Sequence, residues 1–282
     1  RGYITLKTLY DYGIEIVGVI SLEQDKHEAE KYENKISNFS RNFNIPLFET
    51  KWLNDKDYPK IISDELNPDI AFVVGCRILI PKDIYSIPSK GMLGVHDSLL
   101  PEYRGFSPLN WAIINGEDQT GVSLFYLDEL TDCGDIVAQK SIPIGFNDTA
   151  PEVYDKVCQA TIDIIIEAFP SLLSGNVTRK KQEYSVGSFT CKRCPEDGII
   201  DWSQSTIQIY NKIRALTSPY PGAFTFYKNR KMIIWDAQPV NNPPKYLGRI
   251  PGRVVKILLN EGSVEVLTGD GIIKIKMIQY GN

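Results

Sequence analysis

Only two histidines occur among the 282 residues, and one of them, His96, lies in the run Val95-His96-Asp97-Ser98-Leu99-Leu100-Pro101-Glu102-Tyr103-Arg104-Gly105. A neutral imidazole is the side chain best suited to move protons near pH 7. The apolar residues before His96 read as a strand, and the Pro, Gly and polar residues after it as a turn-rich loop. The histidine is therefore delivered to a strand end. Further along lies a second polar cluster, Asp128-Glu129-Leu130-Thr131-Asp132-Cys133-Gly134-Asp135. A carboxylate from it could hold and charge the imidazole, the pairing that acid–base chemistry uses. A lone loop histidine beside an ordinary turn gives a structural reading of the same residues, and the surrounding sequence separates the two.

That surrounding sequence resembles the folate-dependent formyltransferase family, which moves a formyl group from 10-formyltetrahydrofolate to an amine of methionyl-tRNA, glycinamide ribonucleotide or a nucleotide-linked amino sugar. The family loop reads His-x-Ser-Leu-Leu-Pro-x-Tyr-Arg-Gly, matched throughout residues 96–105. Its Asp-x-Gly-x-Ile block is matched by Asp132-Cys133-Gly134-Asp135-Ile136, and a third block by Ile213-Arg214-Ala215-Leu216-Thr217-Ser218-Pro219-Tyr220-Pro221-Gly222-Ala223-Phe224. One residue departs from the pattern. The family carries Asn two positions before the histidine, an oxyanion donor, where this chain has Gly94. Loss of one such donor lowers rate by about a hundred- to a thousand-fold. Restoring it with Gly94→Asn is therefore expected to raise turnover, and a weakened, folate-binding member is an alternative reading.

The elements that must position these residues follow from periodicity. Residues 2–10 carry apolar side chains at helical spacing, closed by Gly13, and 14–20 form an apolar run of strand length. A doubly wound unit needs a strand before that helix, so the numbering is expected to start after a missing first strand. Helices are expected over 26–42, 58–66, 107–115 and 151–173, and strands over 45–48, 69–75, 91–95, 121–126 and 135–144. The alternation predicts an α/β, Rossmann-like domain with a mostly parallel sheet over residues 1–178. Polar, irregular residues 179–200 read as a linker. A helix over 203–216 and short strands at 223–226, 231–237, 252–258, 263–268 and 272–278 predict a small C-terminal β-barrel domain over 201–282.

Composition sets the outer bounds. Hydrophobic residues make up 43% and charged residues 23%, as in an ordinary globular chain. The apolar stretches read as strand-length, too short to cross a bilayer, so no membrane partner is expected. Five cysteines without regular spacing fit a reducing compartment, and cytoplasm is the expected location. Cys191-Lys192-Arg193-Cys194 lacks the two further ligands that tetrahedral zinc needs, so no metal is expected. Net charge is −4, but residues 201–282 hold 11 Lys/Arg against 5 Asp/Glu, leaving −10 on residues 1–200. The basic C-terminal part could touch phosphates or simply be solvated.

The resemblance also implies roles. His96 would take the proton the amine loses and pass it to the leaving nitrogen, with Asp132 raising its pKa. Gly134 would allow the tight turn beside it. The folate would be gripped by Arg77, Ile78, Leu79 and Ile80, by Asp128, Glu129, Leu130 and Thr131, and by Ser98, Leu99, Leu100 and Pro101. Tyr103 and Arg104 would reach an acidic group of the substrate or brace the loop. Residues 21–32 are acidic, not the basic insertion of methionyl-tRNA enzymes, and Val73-Val74-Gly75-Cys76-Arg77 and Phe106-Ser107-Pro108-Leu109-Asn110-Trp111-Ala112 look closest to the amino-sugar branch. A nucleotide-linked amino sugar is the expected acceptor, with methionyl-tRNA the alternative; a homodimer stays open.

Overall fold

The computed structural model describes residues 1–23, 33–53 and 57–281. In chain order the elements begin with α1 (Gly2–Asp11), β1 (Val19–Leu22), α2 (Glu33–Asn42), β2 (Leu47–Thr50), α3 (Tyr58–Lys60) and β3 (Ala71–Val74). They continue with α4 (Lys82–Tyr85), β4 (Met92–His96), β5 (Arg104–Gly105), α5 (Pro108–Asn115), β6 (Gln119–Tyr126), β7 (Ile136–Pro143), α6 (Ala150–Ser174) and β8 (Phe189–Thr190). The last are α7 (Thr206–Leu216), β9 (Ala223–Tyr227), β10 (Arg230–Pro239), β11 (Val254–Leu258), β12 (Ser263–Leu267) and β13 (Ile272–Tyr280). The chain forms two compact units, and neither is continuous in sequence. The first holds residues 1–105, 121–142 and 156–189; the second holds 106–120, 143–155 and 190–282. This division crosses the expected boundaries, since residues 179–189 belong to the first unit.

In the first unit, β1 and β2 pair in parallel, and a separate sheet runs β3-β4-β6-β7. β3 and β4 are parallel, whereas β6 is antiparallel to β4, so the sheet is mixed in direction. The strand expected over 14–20 is shorter: its ladder with β2 starts at Val19. The helix expected from residue 26 is described from Glu33, and residues 26–32 lie outside the described residues, as does most of the acidic stretch 21–32. α3 continues as a π-helical turn over Ile61–Leu66 and stops at Asn67, which takes the left-handed conformation and returns its N–H to the Ile62 carbonyl. α6 is long and apolar enough to cross a membrane, contrary to the reading that all apolar stretches are strand-length. Within the fold, its Val153, Val157, Ile164, Ile165 and Leu172 are core residues. β4 is buried from Met92 to His96 and ends on the histidine.

The second unit carries one antiparallel sheet, ordered β11-β12-β13-β10-β9. All five expected C-terminal strands are present, and the sheet runs open from β11 to β9. α7 packs Ile209, Ile213, Ala215 and Leu216 into the core of this unit. Its start is fixed by a reciprocal cap between Ser205 and Gln208 and by Asp270, which accepts from Thr206 N–H and Oγ1. Residues 106–120 and 143–155 join this unit through polar ties: Asn110 donates to the Ala215 carbonyl, and Arg214 to the carbonyls of Gly145 and Asp148.

Candidate active site

β4 places His96 at its carboxyl end, buried to 8% exposure. The ring Nε2 lies 2.7 Å from the Tyr103 carbonyl oxygen, which can only accept, so Nε2 carries the proton. That assignment leaves the Nδ1 lone pair as the basic atom, 3.6 Å from Asp132 Oδ2. The same carboxylate oxygen accepts the Gly105 N–H at 2.8 Å, which fixes it beside the ring. Burial lowers the His96 pKa below its ordinary value and outweighs the opposing pull of the Asp132 charge; the Tyr103 bond raises it and Arg1 lowers it further. The expected pull of Asp132 is upward, but desolvation penalises the imidazolium more than the carboxylate favours it, so the net shift is downward.

Two backbone features hold Asp132 in place. Asp132 itself is left-handed at φ 54°, an uncommon conformation for a residue with a side chain. A Cβ on Gly134 would meet the Tyr126 carbonyl oxygen at 1.8 Å, so only glycine lets this turn close against β6.

The loop after His96 is tied down from within. Ser98 Oγ donates to the Glu102 carbonyl, Ser123 Oγ to the Ser98 carbonyl, and Leu100 N–H to Ser123 Oγ. Of the four residues expected beside the folate here, Ser98 and Leu100 therefore turn inward and are buried, while Leu99 and Pro101 are half-buried. For Arg104 the geometry fits the bracing alternative. It is 0% exposed, with Nε and Nη2 donating to Gln182 Oε1, Nη2 also to the Glu183 carbonyl, and Nη1 to the carbonyls of Tyr184 and Val186. A side chain so enclosed braces the loop and does not reach a substrate. Tyr103 is half-buried; its N–H donates to Ser188 Oγ while its carbonyl serves His96.

The segment expected to be a linker supplies these braces. Lys180 exchanges backbone bonds with Ile136, and Ser188 N–H donates to the Pro101 carbonyl while its own carbonyl accepts from Arg104 N–H. Polar composition concealed this role. The signal that could have revealed it is the Arg in the matched loop, since a buried guanidinium requires carbonyl partners.

Gly94 faces a second residue that sequence reasoning missed. It pairs across the ladder with Phe125 of β6, so both point to one face. A Cβ at Gly94 would lie 2.9 Å from Cε1 and Cζ of Phe125 and 3.0 Å from Leu127 Cδ2. The space of a side chain at 94 is filled by the aromatic ring. An asparagine at 94 would have to displace that ring before its amide could act as a donor.

Two further loops follow β3 and β6. Arg77 and Leu79 are exposed after β3, with Ile78 and Ile80 half-buried, and Asp128, Glu129, Leu130 and Thr131 are exposed after β6. Lys82 Nζ donates to Glu129 Oε1 at 2.6 Å and bridges the two loops. Leu79 is 78% exposed and Leu130 49%, large apolar side chains open to solvent on bridged loops. Such residues suit a flat heterocycle with polar edges and apolar faces.

A His–Asp pair carried by the end of β4 and the segment after β6 of an α/β unit, in a chain that also holds an antiparallel unit, defines a class that the sequence comparisons identify. The chain belongs to the formyl transferase family: residues 5–169 match its formyl transferase domain and residues 193–282 its C-terminal domain. It is 40% identical over 238 residues to the bifunctional polymyxin resistance protein ArnA of Wigglesworthia glossinidia brevipalpis, covering 84% of this chain but spanning only 36% of that protein's length. It is 34% identical over 277 residues to the methionyl-tRNA formyltransferase of Alkaliphilus oremlandii (strain OhILAs), covering 98% and 87% of the two chains. The N-formyltransferase from Helicobacter canadensis, solved with folinic acid and dTDP-3-aminofucose, shares the fold with a TM-score of 0.72 at 17% identity, covering 98% and 95%.

Proposed function

We propose that this chain transfers a formyl group from 10-formyltetrahydrofolate to the primary amine of a nucleotide-linked amino sugar, with His96 as the proton-transfer group and Asp132 as its partner. The observation that carries this is the 2.7 Å contact of Nε2 with the Tyr103 carbonyl, which assigns the proton to Nε2 and leaves Nδ1, facing Asp132 Oδ2, as the base. The folate supplies the formyl carbon and a nitrogen leaving group. As the acceptor nitrogen bonds to that carbon, Nδ1 takes the proton the amine loses; as the carbon–nitrogen bond to folate breaks, the same proton goes to the leaving nitrogen. Asp132 stabilises the transient imidazolium in a buried setting, where the charge would otherwise be unfavourable. Leu79 and Leu130 would flank the folate ring, and the loop backbone at 77–80 and 128–131 would meet its polar edge.

The acidic balance of residues 1–200 disfavours tRNA phosphates as partners, whereas a sugar nucleotide offers only a diphosphate. Calorimetry with 5-formyltetrahydrofolate tests the first half, and absence of heat at millimolar ligand removes the folate assignment. Formyl loss from 10-formyltetrahydrofolate, followed with amino-sugar nucleotides and with methionyl-tRNA side by side, tests the second. Salt-sensitive formylation of the tRNA alone would reverse the choice of acceptor. His96→Ala and Asp132→Ala should each lower kcat by several orders of magnitude, and the double variant little further.

A further inference from the structure

The turn that carries Asp132 and the loop that follows His96 are joined twice in the first unit. One tie is the Gly105 N–H on Asp132 Oδ2. The other is a single buried side chain, Gln182, 9% exposed. Its Nε2 donates to the Asp132 carbonyl at 3.0 Å and the Gly134 carbonyl at 2.7 Å, which engages both amide hydrogens. Its Oε1 accepts from Arg104 Nη2 at 2.9 Å and Nε at 3.3 Å. Arg104 directly follows Tyr103, whose carbonyl holds the His96 ring. A continuous path thus runs from the Asp132 backbone through one carboxamide and one guanidinium to the peptide that fixes the imidazole.

We propose that Gln182 is a positioning residue of the transfer reaction, setting the distance and angle between His96 and Asp132. This rests on the reading of those two residues as the reacting pair. Few side chains can do this. The site needs two donors on one atom for two carbonyls, and an acceptor opposite for a guanidinium, which is the inventory of a primary carboxamide. Glutamate keeps the acceptor and loses both donors, setting a carboxylate against two carbonyl oxygens. Methionine matches the length and loses everything.

The charged groups facing His96 are Asp132, from the turn after β6, and Arg1, at the start of α1, which is itself paired with Asp97. Of these two, Asp132 favours the imidazolium, as does the neutral Tyr103 carbonyl. If the turn drifts outward, that pull weakens and the ring protonates at lower pH.

The chain holds only one other histidine, His27, so the His96 ring can be followed by NMR in the intact protein with His27→Gln as the assignment control. In Gln182→Met the His96 titration midpoint is expected to fall by about half a pH unit or more, and kcat by about ten- to a hundred-fold, while 5-formyltetrahydrofolate still binds. Should Gln182→Met fail to fold, Gln182→Glu is read instead, with a matching loss of kcat at a melting temperature near the wild type. An unchanged midpoint together with an unchanged kcat in a folded variant overturns the proposal; so does a lowered melting temperature with both unchanged, which marks a purely structural brace. His96→Ala is run alongside. If it abolishes transfer while the Gln182 variants are normal, only the positioning role fails. If it keeps its activity, the His96–Asp132 reading fails and takes this one with it.

Discussion

Gly94→Asn tests how this site differs from the family pattern, and the structure fixes the expected outcome in sign. An ideal Cβ at 94 stands 2.9 Å from two atoms of the Phe125 ring, where carbon atoms in contact keep about 3.5–4.0 Å. The ring must retreat by about 0.6–1.1 Å even for alanine, and asparagine adds three more heavy atoms. Phe125 cannot swing into solvent: it is buried with Leu100 and Ile136, and Leu127 packs against the same cluster. Overpacking of this kind is worth about 1–3 kcal/mol of destabilisation, or about 2–4 °C in Tm for each kcal/mol. The single variant is therefore expected to melt several degrees lower without gaining rate.

The companion change is Phe125→Leu, which deletes the outer ring atoms at a loss of about 1 kcal/mol. Combined, the two should relieve each other, with a favourable coupling of about 1 kcal/mol or more in a double-mutant cycle. If an oxyanion donor is what the wild-type site lacks, the pair should also raise kcat/KM at least about tenfold over Phe125→Leu alone, a fraction of the hundred- to thousand-fold one donor supplies. Thermal melts and initial rates with 10-formyltetrahydrofolate and the amino-sugar panel read both quantities. A Gly94→Asn protein that melts like the wild type and turns over faster would refute the steric argument. A double variant no faster than Phe125→Leu would refute the idea of a missing donor.

Other outcomes follow from the same geometry. Because burial lowers the His96 pKa, the acid limb of kcat/KM should fall below the ordinary histidine value of 6.5, and Asp132→Asn, which removes the raising charge, should move any remaining limb lower still. The sign for stability is linked: the unfolded chain binds the proton more tightly, so His96 lowers stability as pH drops through about 6.5, and His96→Gln should flatten that part of a Tm–pH curve. Arg104→Ala should destabilise by about 3 kcal/mol or more, since it strands Gln182 Oε1 and the carbonyls of Glu183, Tyr184 and Val186, and lysine, with no planar fork, should not rescue it; a chemical denaturation midpoint close to wild type would contradict this. The Asp270 pKa is lowered by the Thr206 N–H at the start of α7, so its contribution is present above its unfolded pKa of 3.8 and lost as pH falls through the folded value. Asp270→Ala should lower Tm at pH 7, and by less in strong acid, where the carboxyl is neutral.

Much of this was legible in the order of residues. The strand ending on His96, the loop behind it, the Asp132 turn and all five C-terminal strands follow from apolar periodicity and turn residues, because each is a local pattern. What escaped depends on register and on distant partners. Gly94 reads as a deletion of an amide until β4 and β6 are aligned, when it becomes the seat of the Phe125 ring. Gln182 and Ser188 sit in a polar stretch that composition assigns to solvent, yet Arg104, buried within the loop it braces, must draw carbonyls and an amide in with it. The two discontinuous units were hidden for the same reason, since Asn110 and Arg214 reach acceptors far along the chain.

The sign of the His96 shift belongs with these. A carboxylate near an imidazole argues for a raised pKa from proximity alone, and the sequence supplies the carboxylate. Whether the charge or the burial prevails depends on how far water is kept away. With Asp132 Oδ2 at 3.6 Å, too long for a direct hydrogen bond, and the ring 8% exposed, desolvation is the larger effect. A base kept neutral in this way is ready to accept a proton at pH 7. The carboxylate then acts chiefly after the proton has arrived, when the imidazolium has formed and the buried pair is electrically balanced.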